Sequence, residues 1–200
     1  TPDYCKKLAE AFGVSVFFQW KDGGFKREML RCNERTAKIF YECPDNTIHS
    51  VGGEKGKCST RLKFPQPSPN LNVRWCSSYL KIDVCAAAIR NQERFNGIRT
   101  LVLSGERGEE SKQRAGYAIL EPDKSDLRNG KKIMRYVDRY RPIRDWTERR
   151  IWDLLEKYRV RPHPCYFMGF GRCSCKFCIF GNANQFASAA CISHQNFSQL

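Results

Sequence analysis

The sequence predicts an α/β fold built on a parallel sheet, and three observations carry that reading. Amphipathic helical stretches alternate with short apolar, strand-like runs. Helix ends are marked by glycine or by a capping threonine. The run Ile98–Leu103 passes through a glycine loop directly into another helical segment, TLVLSGERGEESKQRA, Thr100–Ala115. Alternation of this kind lays helices on the faces of a parallel sheet. With 200 residues the chain is long enough for one domain with its own core. No internal repeat divides it, so residues 1–200 are read as a single domain.

The elements follow in order. Thr1–Phe12 places Cys5, Leu8, Ala9 and Phe12 on one stripe, the spacing of an amphipathic helix, and Gly13 stops it. Val14–Phe18, VSVFF, reads as a buried strand. Residues 44–72 are rich in Gly, Pro, Ser and Lys without periodicity, which predicts a long surface loop and a candidate lid. Tyr79–Asn96 returns to helix with Ile82, Cys85, Ala86 and Ile89 aligned, and Gly97 ends it before the strand Ile98–Leu103. Thr147 caps a last clear helix, Glu148–Tyr158, whose Ile151, Leu154, Leu155 and Tyr158 share a face.

Thirty-five Lys and Arg against 21 Asp and Glu give a formal charge of +14, which favours anionic partners: nucleotide, nucleic acid or phospholipid. No apolar run approaches the ~20 residues that span a bilayer, and the first residues lack the apolar core of a signal peptide. The expectation is a cytoplasmic protein without membrane contact. Eleven cysteines, an odd number in a chain that folds without staples, point to metal or redox chemistry rather than disulfides. Cys5, Cys32 and Cys85 fall on apolar faces and are expected as small core residues.

In an α/β sheet, ligands bind beyond the carboxyl ends of strands, where the loop after Leu103 lies. Gly105 and Gly108 permit close backbone approach, and amides opening the helix near Glu109 would face an anion. Arg107 offers a planar fork for phosphate or sulfate, with Arg114 on the same helical face. Glu106, Glu109 and Glu110 oppose an anion unless they hold a metal or orient the arginines, and a solvated helix start with acids suited to its dipole fits the spacing equally. Farther on, Cys173, Cys175 and Cys178 form CxCxxC with Cys165 upstream, a spacing used by zinc and iron–sulfur sites. Arg135–Arg150 interleaves six arginines with Tyr136, Tyr140 and Trp146. That is the composition of a nucleic-acid surface, or of a strand edge whose rings pack inward. His163, before Pro164, is a ligand or acid in one reading and a turn residue in the other, while His49 and His194 offer less.

SGERGEESKQRA, with RWCSSYLK (Arg74–Lys81), RPIRDWTERRIWDLL (Arg141–Leu155) and HPCYFMGFGRCSCKFCIFGN (His163–Asn182), resembles the phosphoadenosine-phosphosulfate reductase family. The likeness is nearest to its phage and mobile-element branch and to the sulfur-inserting enzymes of DNA phosphorothioation. The resemblance implies an adenine nucleotide alpha-hydrolase-like, Rossmann-like sandwich. It implies ATP or a phosphoadenosine-phosphosulfate-type nucleotide, with Mg²⁺ as companion, held by Gly105, Arg107, Glu110, Ser111 and Arg114, with Arg141 and Asp145 shaping the pocket. It also implies a 4Fe–4S cluster on Cys76, Cys175 and Cys178, with Cys173 or Cys165 as a fourth ligand or one iron left open; zinc is the alternative. The partners implied are an adenine nucleotide, DNA or RNA, and a sulfur donor such as a cysteine desulfurase.

The family's opening strand and SGGxDS pyrophosphate loop are missing, so the chain is expected to begin one strand–helix unit late. Cys76 is followed by Ser77 where cluster-bearing reductases pair two cysteines, and the final HQNFSQL lacks the Cys-Gly-Leu-His of assimilatory reductases. No catalytic residue is assigned. The resemblance leaves two classes: an oxidoreductase or ATP-pyrophosphatase-type sulfurtransferase, or a non-catalytic relative whose metal knuckle grips nucleic acid.

Overall fold

The computed structural model describes residues 2–198. Thr1, the first residue of the predicted opening helix, and the last two of the cysteine-rich segment 163–200 lie outside the described residues. The chain forms two three-stranded sheets with helices between and around them. The first sheet is antiparallel, in the order β1 (Gln19–Lys21), β2 (Ile39–Glu42), β3 (Ile48–Val51). The second has the order β4 (Arg99–Leu103), β6 (Tyr136–Tyr140), β5 (Leu120–Pro122). In it β4 and β6 pair in parallel, Arg99 opposite Tyr136 through Leu103 opposite Tyr140, and β5 is antiparallel to β6. The α/β class stands, but not the parallel sheet: among the described residues the first sheet is antiparallel throughout, and the second is mixed, with only β4 and β6 parallel.

Helix α1 (Pro2–Phe12) carries the predicted stripe, with Ala9 buried and Phe12 exposed. Val14–Phe18 is not a strand; it is an extended connector into β1. Its rings pack against cations instead of a core, Phe17 under Arg94 and Phe18 beside Lys6. The lid segment 44–72 is partly ordered by β3, which completes a hairpin with β2. A bridge between Glu34 and Ser59 ties its far end back to the chain.

The central helix starts earlier than its apolar period predicts. Helix α3 (Trp75–Ser77) runs through a π turn, Ser78–Ile82, into α4 (Asp83–Arg90), and a 3₁₀ turn, Glu93–Phe95, follows. The wider π turn shifts the register of side chains, so Trp75 and Cys76 fall off the stripe that marks the later residues. Val84, Ala86, Ala88 and Ile89 are buried, and α4 packs on β1 and β2. At its end Tyr41 donates to the Asn91 carbonyl, and Arg135, just before β6, donates to the Arg90 carbonyl at 3.3 Å. Both sheets therefore anchor to the end of this helix. Cys85, on α4, is half-buried, but Cys5 and Cys32 are exposed, against the expectation of core cysteines. Likewise β4 looks buried by composition, yet it is an edge strand with Leu101 and Leu103 exposed by 56% and 65%.

Glu28, 1% exposed on α2 (Gly24–Met29), fixes the start of the central helix. Its carboxylate accepts from Arg61 at 2.9 and 3.1 Å and pairs with Arg31 at 3.2 Å. The Arg61 guanidinium then lies on the rings of Trp75 and Tyr79, 4.7 and 4.6 Å from their centroids. Trp75 also stacks on Phe25 and donates its indole N–H to the Lys63 carbonyl. A buried acid with two cations thus sets the position of Cys76. Glu28→Gln strands two buried guanidinium groups, so it is expected to cost about 3–5 kcal/mol in urea unfolding; a loss under about 1 kcal/mol would show that Arg31 and Arg61 find their stabilisation elsewhere.

Candidate nucleotide and thiolate site

Strand β4 ends at Leu103, and the loop beyond it sits at the carboxyl end of the parallel β4–β6 pair. A 3₁₀ turn, Gly108–Glu110, leads to the short helix α5 (Lys112–Ala115). Ser111 caps α5, its hydroxyl accepting the Arg114 N–H at 3.2 Å, as a serine at that position does. Both predicted arginines turn to the same carboxylate: Arg107 reaches Glu110 at 3.6 Å, and Arg114 pairs with it closely. Arg107 also donates to Glu109 at 2.7 Å and lies 3.7 Å from Glu148, the first residue of α6 (Glu148–Lys157). Two guanidinium groups are therefore braced by three acids.

Two details differ from the sequence expectation. The Gly108 amide, expected to face an anion, donates to the Arg144 carbonyl at 2.8 Å. Gly105 has ordinary room, since a Cβ there would meet only Ile143 at 3.8 Å; Gly108 is the closer position, with Ala115 and the Arg144 carbonyl at 3.4 Å. Here glycine serves packing against the Arg144 segment.

That segment forms the other wall. Gly108, Glu109, Ala115, Arg144, Asp145, Trp146 and Thr147 line a cleft of about 240 Å³. Whole small-molecule ligands occupy roughly 300–1,000 Å³, so the cleft matches the anionic end of a nucleotide rather than all of it. Asp145 holds Arg144 at 2.6 Å, and the buried Arg144 Nε has no hydrogen-bond partner. Arg141 stands behind the loop, not in the cleft. It donates to Glu106 and Glu121, both at 2.6 Å, and to the Ala118 carbonyl at 2.7 Å, over the face of Tyr117. It ties the loop to β5. Sequence reasoning missed Arg144 and Glu148, whose signal was present in the RPIRDWTERR stretch but read as general basicity.

The cysteines separate into two groups. Cys76, half-buried, has its thiol pushed up by burial first; a hydrogen bond with Ser77 and the nearby Lys81 oppose this, while Cys175 and Cys178 lie close enough to add to it. Cys175 and Cys178 thus act on Cys76 from far along the sequence, but among the described residues the three do not close into a group tight enough for one ion. That turn is held from below by Gln185 of α7 (Ala183–Ile192), 1% exposed, whose amide donates to Ser174 Oγ at 3.2 Å and to the Cys175 carbonyl at 3.3 Å. Asn182 caps α7, and Gly181 N–H donates to the Cys178 carbonyl at 2.7 Å. Arg74 and Arg172 both approach the ring of Phe180, just beyond Cys178. Cys165 and Cys173 belong instead with His163, their ligand atoms all within 4.8 Å of one another. Burial, then the neighbouring Cys173, pushes the Cys165 thiol up to about 11.

The basic stretch is largely engaged internally. Arg135 is buried and bound to Ser125 O and Asn96 Oδ1; Arg139 binds Asp123, Arg141 binds Glu106 and Glu121, and Arg144 binds Asp145. Of the six arginines, Arg149 is exposed and Arg150 lies over Trp146 at 4.1 Å.

The strand-end loop thus carries two arginines braced by acids, and a separate cysteine-rich turn carries a cluster of thiols. The chain belongs to the phosphoadenosine phosphosulfate reductase domain family, whose model matches residues 26–180. It is also similar to an uncharacterized 37.8 kDa protein in the gpa 5′ region of Escherichia phage 186, 28% identical over 125 residues. The match covers 60% of this chain and 34% of the phage protein. No solved structure matches. Among the described residues no helix is long and apolar enough to cross a membrane.

Arg139 and Arg149 separate internal from surface arginines. Burial alone would raise the Asp123 carboxyl, but the hydrogen bonds from Ser125 and Arg139 overcome it and hold it below the ordinary range. Removing Arg139 leaves that buried charge short of a partner, so Arg139→Ala is expected to lose about 3 kcal/mol in denaturant unfolding, while Arg149→Ala stays within about 0.5 kcal/mol. Equal effects would contradict the assignment.

Proposed function

We propose that the chain performs nucleotide-linked sulfur transfer, with the anionic end of ATP or a sulfonucleotide held at the β4 loop. The observation that carries this reading is the convergence of Arg107 and Arg114 on Glu110 at the end of a parallel strand, beside a cleft of phosphate size. Glu109 and Glu148 are half-exposed or more, so an incoming phosphate or sulfate can exchange with them on the Arg107 fork without unburying a charge. The displaced carboxylates are the hard oxygen donors that Mg²⁺ on a nucleotide takes. Ser111 and Gly105 shape the loop, and Arg141 and Asp145 hold its back and far wall.

The donor set at Cys76, Cys175 and Cys178 has the chemistry of an iron–sulfur site, three soft thiolates from two segments with Lys81 acting on Cys76, and the three would draw together to hold the cluster. Such a cluster supplies electrons or a thiophilic iron for handling sulfide. Cys165 and Cys173 group with His163, which favours the three-cysteine arrangement with one iron not ligated by the protein. The acceptor is proposed to be an anion, DNA or RNA, drawn by the net charge of +14, with a cysteine desulfurase as sulfur donor. Internal pairing of four arginines in 135–150 argues against that stretch as the principal nucleic-acid surface, and so against a purely binding role built on it.

Titration calorimetry with ATP and with a sulfonucleotide tests the site. Each charge-assisted hydrogen-bonding partner is worth about 1.5–3 kcal/mol, so Arg107→Ala with Arg114→Ala should weaken binding about 100-fold or more. Unchanged affinity in the double variant would remove the loop from the nucleotide site.

A further inference from the structure

We propose that His163, Cys165 and Cys173 form a second metal site, taking one zinc-class divalent cation, separate from the Cys76, Cys175 and Cys178 group. Their ligand atoms lie within 4.8 Å of one another. Tetrahedral zinc, with sulfur at ~2.3 Å and nitrogen at ~2.0–2.1 Å, needs its donors roughly 3.5–4 Å apart, a closure that rotation of an exposed Cys173 supplies. Two thiolates and an imidazole form a donor set that selects zinc over the hard cations, and the two thiolates balance its charge.

The chain builds this corner from a tight turn. Pro164–Met168 is a 3₁₀ turn closed by Gly169 in the left-handed region, φ 83°, with the Phe170 N–H donating to the Cys165 carbonyl at 3.2 Å. The Cys165 N–H donates to His163 Nδ1 at 3.1 Å, so that nitrogen carries no proton and its lone pair faces Cys165. A cation at Nδ1 would replace this hydrogen bond. Residues around the corner hold its parts in place, as outer partners do for metal ligands. The Tyr4 ring of α1 meets the imidazole edge-on at 4.9 Å, and its hydroxyl donates to the Arg161 carbonyl. The Tyr166 hydroxyl accepts the Cys173 N–H at 3.1 Å, and its ring packs on Trp152 of α6.

Capping accounts for His163 but not for the rest. Ser, Thr, Asn or Asp would cap the turn as well, and a cap requires neither Cys165 nor a second thiol returning from seven residues on. Three protein donors leave one coordination position, and because Cys173 is exposed that position faces solvent. The site is therefore an open one, reached by water or a small thiol. It does not depend on the nucleotide reading.

Cobalt(II) reports on such a site through sulfur-to-metal charge-transfer absorption. The titration uses chelator-treated full chain carrying Cys76→Ser, Cys175→Ser and Cys178→Ser, so the proposed cluster ligands cannot contribute. One equivalent with a tetrahedral thiolate spectrum is expected. His163→Asn keeps a capping acceptor while removing the imidazole, and it should weaken cobalt binding by more than the roughly 10–100-fold typical of losing an outer partner; Cys173→Ser should do the same. Unchanged binding in either variant, or no charge-transfer band, overturns the proposal. Zinc X-ray absorption on the wild-type chain gives a check free of the serine background: a shell of two sulfurs with imidazole scattering supports the site, and an all-sulfur shell refutes it.

Discussion

Pairing of scarce carboxylates with arginines is the interaction on which the rest of the structure depends. Thirty-five cations share 21 acids, so an acid placed inside is worth most where it restrains more than one segment. Glu28 does this for Arg31 and Arg61, Asp123 for Arg139, and Glu106 with Glu121 for Arg141. Exposed pairs such as Lys38 with Glu54 add little, since water and salt screen them. The interior pairs join separate elements and leave the uncompensated positive charge on the outside.

The same economy explains the strand-end loop. Arginines left bare at a phosphate site would repel one another and fold back; Glu110 holds both, and Glu109 and Glu148 occupy the remaining face of Arg107. The sulfur region follows a different rule. Its turns are held by hydrogen bonds with neutral groups: Gln185 donates beneath the CxxC turn, and the Tyr166 hydroxyl accepts the Cys173 N–H. A neutral frame leaves the negative charge to the thiolates and whatever they bind.

Much of the chemistry was legible in the sequence because it is local. The Thr147 cap, the Ser111 loop and the CxCxxC spacing each depend on residues a few positions apart; the structure contains the Thr147 cap as read, and Ser111 caps the helix after the loop. Pairings across long separations were not legible: nothing in the spacing links Arg141 to Glu106, 35 residues away, or His163 to Tyr4. Periodicity failed where geometry departed from it. The π turn displaced the start of the central helix, and the apolar run Val14–Phe18 proved to be a connector whose rings cover cations. Composition also overstated burial in β4, because an edge strand can be apolar and still face water.

The central proposal is that Cys76, Cys175 and Cys178 together hold an iron–sulfur centre. Iron and acid-labile sulfide measured in anaerobically purified protein test it most directly. Iron with matching sulfide, lost in Cys76→Ser and retained in Cys85→Ser, is the result predicted. Zinc in place of iron, with no sulfide under the same conditions, would contradict it and make this region a structural knuckle.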